Sequence, residues 1–138
     1  MPRTGQGVAR GFGMDFAEHR SAELDIHDAE GFDLILTMGR DQARDVIAEN
    51  PSLRPRVFTL KQFSRWIEDH PIPAGWELRE WLDDHAAERP SSDFIGIDRR
   101  DDVADPLNGP AAAWVDMVND LSRHLAKIIH GITSRAEQ

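Results

Sequence analysis

The chain has 138 residues, of which 40% are hydrophobic and 30% are charged, and its formal net charge is -9. This length suits one domain with a single hydrophobic core, and the composition is that of an ordinary globular protein. The negative charge opposes binding to nucleic acid, and no apolar run reaches the roughly 20 residues that a membrane-spanning helix needs. Because the N-terminus also lacks the apolar middle of a signal peptide, the sequence predicts a cytoplasmic protein with no membrane partner.

The chain contains no cysteine. This excludes disulfide bonds, thiolate metal ligands and a cysteine nucleophile within these residues. The histidines lack the i,i+4 pairing of a zinc-binding helix, and no serine lies in a Gly-x-Ser-x-Gly turn. The sequence therefore predicts no metal site, no cofactor and no hydrolase triad.

The first part of the chain is predicted to be irregular. Residues 1–10 are polar, contain glycine and show no hydrophobic period, which predicts a disordered tail ahead of one domain over residues 11–138. Residues 4–10 are also typical of the end of an interrupted helix. After a turn-rich stretch, residues 32–38 form a nearly continuous apolar run that is typical of a buried strand in a parallel sheet.

Helices and strands then alternate. Residues 40–49 carry one apolar face and are followed by Asn50-Pro51, which predicts a helix and its end. Residues 56–60 are a second strand candidate, and the next helical spacing of apolar residues stops at His70. This alternation predicts a layered α/β fold.

Two more helices are predicted beyond His70. The first covers residues 78–85 and ends before Pro90, and residues 91–102 form an acidic stretch without the spacing of a calcium loop, which predicts a solvated loop. The last helix has an apolar stripe with spacings of 4, 3, 4, 3 and 4, made by Trp114, Val118, Leu121, Leu125, Ile128 and Ile132. This stripe predicts packing against the sheet.

Several short motifs are weak individually but specific in their order. They are Gly13-Met14-Asp15, His19-Arg20-Ser21 through Leu24, the apolar run that ends at Met38, Val57-Phe58-Thr59-Leu60 and Asp105-Pro106. Together they resemble the low-molecular-weight protein tyrosine phosphatase family over about residues 11–132. The resemblance implies a phosphotyrosine protein phosphatase I-like fold, a small parallel sheet flanked by helices, without metal or organic cofactor. The related arsenate reductases need additional cysteines, so phosphatase ancestry is favoured.

The resemblance covers only the part after the family's phosphate-binding loop. Family members begin with a strand, a Cys-x5-Arg-Ser loop and a helix; in the loop, backbone N–H groups and the arginine bind phosphate while the thiolate attacks phosphorus. We therefore expect an N-terminally incomplete domain that is inactive as given. A natural loss and a misassigned start codon are both open explanations of the missing strand, loop and helix.

Asp105 is the candidate catalytic residue. The resemblance implies that it is the general acid that protonates the leaving phenolate oxygen of a phosphotyrosine-type substrate, with Pro106 holding the loop in shape. The alternative is structural, because Asp followed by Pro commonly starts a turn ahead of a helix. Either way, a general acid has nothing to protonate unless a nucleophile displaces the leaving group.

The alternative function is a non-catalytic interaction module. In the family, the first strand pairs beside the strand that matches residues 32–38, so its absence leaves an apolar edge with unpaired N–H and C=O groups. We expect a homodimer contact or a partner strand to cover the edge from Phe32 to Met38. Whether the chain is an enzyme therefore stays open at this point.

Overall fold

The computed structural model describes residues 2–14, 18, 22 and 25–135, apart from the side chains of Ile26 and His27. Asp15 and the motif from His19 to Leu24, except Ala22, lie outside the described residues. The elements are, in chain order, helices α1 (Arg3–Gly11) and α2 (Ile26–Ala29), strand β1 (Ile35–Thr37), helix α3 (Arg40–Glu49), strand β2 (Val57–Thr59), and helices α4 (Leu60–Asp69), α5 (Leu78–His85) and α6 (Ala111–Thr133), with 3-10 turns at Pro51–Arg56 and Ser91–Phe94.

The two strands form a small parallel sheet. Ile35 lies opposite Val57, and Thr37 lies opposite Thr59. Parallel strands need a crossover connection, which α3 provides between them. The predicted α/β class with a small parallel sheet flanked by helices is confirmed, although β1 is shorter than the apolar run that predicted it.

A capping box fixes the passage from β2 into α4. The Thr59 hydroxyl accepts a hydrogen bond from the Gln62 backbone N–H at 3.1 Å, and the Gln62 side-chain oxygen accepts one from the Thr59 N–H at 3.0 Å. This reciprocal pair satisfies two backbone donors that the first turn of a helix otherwise leaves open. The strand therefore turns into the helix without an intervening loop.

The hydrophobic core lies on both faces of the sheet. Phe58 and Phe63 are fully buried with Ile67 and Ile128 on the side of α4 and α6. Ile35, Val57 and other apolar residues form a second cluster on the side of α3, completed by Ala29, Ala43, Leu53 and Phe94. Alternate residues of each strand thus enter opposite clusters, as the period of a strand buried on both faces requires.

Helix α6 packs mainly against α4 and α1. Trp114 and Ile128 of the predicted stripe are buried, and a Cβ atom on Gly131 would overlap Ile67, so α4 and α6 approach closely there. The stripe is not buried throughout, because Leu125 is 39% exposed. The expected packing against the sheet therefore runs largely through α4.

Residues 3–11 form α1, where a disordered tail over residues 1–10 or the end of an interrupted helix over residues 4–10 was expected. Its buried residues are Gly5 and Ala9, and Gly5 lies directly against the Trp114 ring. A helix that docks through such small residues shows no large apolar period in its sequence. The N-terminal segment is therefore anchored on α6 by close approach.

The outer edge of β1 has no strand partner among the described residues. Ile35 and Thr37 at the two ends of the strand are nevertheless buried and Leu36 between them is half-buried, whereas Phe32 and Met38 outside the strand are exposed. Among the described residues, no helix combines the length and apolar character needed to span a bilayer.

Candidate functional site

A cleft of about 590 Å³ opens at the carboxyl end of β1. In α/β sheets, ligands bind preferentially outside the carboxyl ends of the strands. The cleft is lined by residues from four segments, namely the end of β1, the first turn of α3, the loop ahead of α6, and α6 itself: Met38, Gly39, Asp41, Gln42, Ile97, Asp102, Val103, Ala104, Asp105, Pro106, Trp114 and Met117. Asp105, the residue predicted from the sequence, thus lies at the place where this kind of fold positions a site.

Asp105 sits in a turn that leads towards α6. Its Oδ1 atom accepts a hydrogen bond from the Leu107 N–H at 2.9 Å, while the carboxylate is exposed to solvent. Asn108 has a φ of 63°, and the Gly109 N–H donates to the Pro106 oxygen at 2.8 Å, which closes the turn. The turn-forming role of Asp105 is therefore present, and its second carboxylate oxygen has no hydrogen-bond partner among the described residues.

Two hydrogen bonds fasten the loop before Asp105 to the end of β1. The Val103 N–H donates to the Met38 oxygen at 2.7 Å. Asp102 Oδ1 accepts from the Arg40 N–H at 2.8 Å and so caps α3 from a distant loop. A Cβ atom on Gly39 would lie 3.3 Å from Asp102 Oδ1 and 2.8 Å from Asp41 Oδ1, so glycine gives both carboxylates room.

Asp101 belongs to the same loop and is only 2% exposed, and its hydrogen bonds hold the loop against α3 and α4. Arg40 Nε donates to its Oδ2 at 2.7 Å, Gln62 Nε2 donates to the same oxygen at 3.0 Å, and the Arg65 guanidinium donates to Oδ1. Burial raises the pKa of Asp101, but the hydrogen bonds from these three side chains outweigh burial and hold the pKa below its ordinary value. The expected solvated acidic loop is therefore wrong at Asp101.

The neighbouring Asp98 is also ion-paired. Arg100 Nη2 donates to its Oδ2 at 2.9 Å, and this hydrogen bond is the main cause that holds the pKa of Asp98 well below its usual range. Arg40 lies 3.5 Å from the same oxygen. Across the described ranges, no group of three or more Asp, Glu or His residues is arranged to hold a metal ion. The loop carboxylates that pair with cations do so with arginines.

The cleft itself carries negative charge. Asp41, Asp102 and Asp105 line it, and the described lining includes no Lys, Arg or His. Arg40 lies at the start of α3, but its guanidinium does not line the cleft. It bonds Asp101 and donates to the Ser92 and Ile95 oxygens at 3.0 and 2.8 Å. The part of the cleft that the structure describes therefore offers no side-chain cation to a phosphate group.

A second polar network joins α4 to α6. His124 Nδ1 lies 2.8 Å from Ser64 Oγ, and its Nε2 lies 3.5 Å from Asp120 Oδ1, which itself pairs with Lys61 through the other oxygen at 2.9 Å. The residue types are those of a hydrolase triad, but Ser64 is fully buried and cannot reach a substrate. Burial lowers the pKa of His124, partly opposed by the charge of Asp120.

The buried contacts of this region could not be predicted from the sequence because they join segments far apart in the chain. Arg40 and Arg65 reach Asp101 over separations of 61 and 36 residues. No local spacing marks such pairs. The only usable signal was the dense run of charged residues in the loop, which is typical of a solvated segment as well.

A segment of the chain matches a curated bacterial protein. The probable low-molecular-weight protein-tyrosine-phosphatase EpsP of Ralstonia solanacearum is 37% identical to this chain over 59 residues. The chain resembles the low-molecular-weight protein-tyrosine-phosphatases. The matched segment spans 43% of this chain and 41% of EpsP. No protein-family profile matches the chain, and no solved structure matches it.

Proposed function

We propose that this chain is a domain of the low-molecular-weight protein-tyrosine-phosphatase family in which Asp105 is the general acid. The observation that carries the proposal is the position of Asp105-Pro106 in the cleft at the carboxyl end of β1. The partial match to EpsP supports the family. The substrate class is then a phosphotyrosine ester, and the cytoplasm stays the proposed location.

The chemical role of Asp105 is to supply a proton. When a nucleophile attacks phosphorus and the bond to the phenolate oxygen breaks, the carboxylic acid protonates that oxygen, which makes it a better leaving group. The carboxylate is solvent-exposed and is held by one backbone N–H donor. An oxygen at the mouth of the cleft is therefore within reach of this acid.

The 138-residue polypeptide is proposed to be inactive by itself. It has no cysteine to form the covalent phosphoryl intermediate of the family. The cleft also presents carboxylates where a dianionic ester needs cations or free N–H donors, and the Arg40 N–H at the start of α3 is already bonded to Asp102. Both the bond-forming group and the anion-binding group have to come from outside the described cleft.

An assay on the purified polypeptide tests this inactivity. With para-nitrophenyl phosphate or a phosphotyrosine peptide, we expect no turnover above a buffer blank and no phosphoryl adduct by mass spectrometry after acid quenching. Turnover that Asp105→Asn abolishes, or an adduct on any side chain, contradicts the proposal.

A chimera tests the role of Asp105 directly. A strand, a Cys-x5-Arg-Ser loop and a helix taken from an active family member are joined ahead of Arg3, and we expect the chimera to hydrolyse para-nitrophenyl phosphate. Asp105→Asn is then expected to lower kcat about 100-fold to 10,000-fold, the usual contribution of a general acid. Asp84→Asn, an exposed position on α5, is the matched control and is expected to leave kcat unchanged.

The chimera result can also count against the proposal. An active chimera in which Asp105→Asn and Asp84→Asn have the same kcat excludes Asp105 as the acid. A chimera with native-like circular dichroism and no activity argues against family membership, because the transplanted loop then fails on a folded scaffold.

A non-catalytic interaction role is the second candidate. It is favoured by the outer edge of β1, which has no strand partner among the described residues, and by Leu125 and Ile129, which lie exposed on α6. A homodimer or a bound partner strand would cover such a surface. Sedimentation velocity that gives a compact monomer at all concentrations counts against the homodimer.

A further inference from the structure

The walls of the cleft at the end of β1 are apolar. Val103, Pro106, Trp114 and Met117 line it together with the exposed Met38. A volume of about 590 Å³ falls within the range of clefts that hold small ligands or a long side chain with its backbone. The cleft can therefore take an apolar stem and desolvate it.

The apolar surface continues from Ile97 in the cleft lining to Leu107 outside it. Ile97 is 83% exposed and Leu107, next to Pro106, is 54% exposed. Exposed aliphatic residues beside a cleft are typical of a surface that a partner covers. An occupant that extends beyond the cleft gains these contacts, which a small free amine does not reach.

The charge of the cleft selects the polar group of the occupant. Asp102 accepts hydrogen bonds from the Arg40 and Asp98 N–H groups at 2.8 and 3.0 Å, and Asp105 accepts one from Leu107. Within the described residues, neither of them nor Asp41 forms an ion pair. Anions are repelled by these carboxylates, and a cation between them gains attraction from each.

We propose that the cleft binds an arginine side chain presented by an apolar peptide segment of a partner protein. The planar guanidinium pairs with carboxylates through several N–H donors, stacks on aromatic faces and is more weakly hydrated than an ammonium, so it suits a cleft with both carboxylates and apolar walls. Apolar residues beside the arginine contact Ile97 and Leu107. This binding does not depend on the proposed phosphatase role of Asp105.

The test uses the full chain and two peptides that differ in one group. An acetylated, amidated peptide with one arginine between valines is compared by calorimetry with its citrulline counterpart, which replaces the guanidinium by a neutral group of nearly the same shape. We expect the arginine peptide to bind at least about 10-fold more tightly, a ratio that added salt reduces. Free acetyl-arginine amide is expected to bind more weakly than the peptide.

Variants locate the binding. Asp41→Asn removes an exposed carboxylate of the cleft that forms no hydrogen bond or ion pair within the described residues, and it is expected to weaken binding of the arginine peptide several-fold. Asp84→Asn on α5 removes one carboxylate elsewhere and is expected to leave the affinity unchanged. Circular dichroism checks that both variants fold.

Several results would overturn the proposal. They are equal binding of the arginine and citrulline peptides, no binding of either at millimolar concentration, equal losses in both variants, or tighter binding of a phosphotyrosine peptide than of the arginine peptide. Free acetyl-arginine amide that binds as tightly as the peptide overturns the peptide part. The phosphatase assays are separate, so failure here leaves them unaffected.

Discussion

Asp101 shows how one buried carboxylate can organise a loop. It receives hydrogen bonds from Arg40 of α3 and from Gln62 and Arg65 of α4, so the segment that leads to Asp105 is joined to both helices. A buried charge is tolerated only when it is paired and hydrogen-bonded. Its partners are far away in sequence, which is why the residue was predicted to be solvated.

Replacing this carboxylate tests its contribution. Asp101→Asn is expected to lower the free energy of unfolding by about 3 kcal/mol, the low end for breaking a buried pair, because Arg65 is half-exposed and can be solvated. Urea denaturation measures it. Asp84→Asn, as an exposed control, is expected to change stability by less than about 0.5 kcal/mol. Equal effects of the two variants would show that the Asp101 contacts do not stabilise the fold.

At the scale of elements, the local sequence pattern was sufficient to predict a helix or strand where large apolar side chains make its packing contacts. The helices α3, α4, α5 and α6 were predicted because their apolar residues recur at helical spacing, and β1 and β2 because their residues enter clusters on both faces. Helix α1 was expected at most as the end of an interrupted helix over residues 4–10, and its docking was not predicted, because Gly5 and Ala9 make its contact with α6. Small residues carry no hydrophobic period, so the sequence gives no sign of such docking.

Two of the three glycines in α1, Gly5 and Gly7, offer a matched pair. Gly5→Ala is expected to destabilise the protein by about 1–3 kcal/mol, because its Cβ would overlap Trp114 and overpack the contact. Gly7→Ala meets no atom within 4 Å and is expected to stabilise by about 0.5–1 kcal/mol through helix propensity. Thermal unfolding of both variants measures the difference. A stabilising Gly5→Ala would contradict the docking of α1 on α6.

The α4–α6 contact is expected to depend on pH through His124. Burial lowers the pKa of His124 in the folded state, so the unfolded chain binds the proton more readily, with an ordinary pKa near 6.5. As pH falls below about 6.5, the unfolded state takes up a proton first and stability decreases, by no more than about 1.4 kcal/mol per pH unit. Denaturation at pH 7.5 and 5.5 should show a smaller loss for His124→Gln than for the unchanged chain. A loss of the same size in both proteins argues against this titration.

At the scale of the whole molecule, the sequence predicted the α/β class and one candidate residue, and it could not predict what surrounds that residue. The motif Asp105-Pro106 is local, whereas the charge of its cleft depends on which way Arg40 points and on Asp41 and Asp102 from other segments. Orientation of a side chain towards or away from a cleft is a tertiary property. The partial match to EpsP likewise covers less than half of the chain.

For the whole molecule, we predict how the free energy of unfolding changes at acidic pH. The pKa values of Asp98, Asp101 and Asp120 lie below their ordinary value of 3.8, so their stabilising contribution is complete above about that pH and is lost as pH falls through the folded-state values. We expect the free energy of unfolding to fall steeply below about pH 4, and to fall less in Asp101→Asn. A flat profile from pH 5 to 3 would contradict the ion-pair assignment.

The bond from the Arg40 amide to Asp102 has a consequence for motion. The stretch that carries Asp105 cannot swing outward without uncovering the first turn of α3, so displacement of that stretch and fraying of the helix are one event. Amide exchange at Arg40 and at Val103, whose N–H is held by Met38, should accordingly rise and fall together.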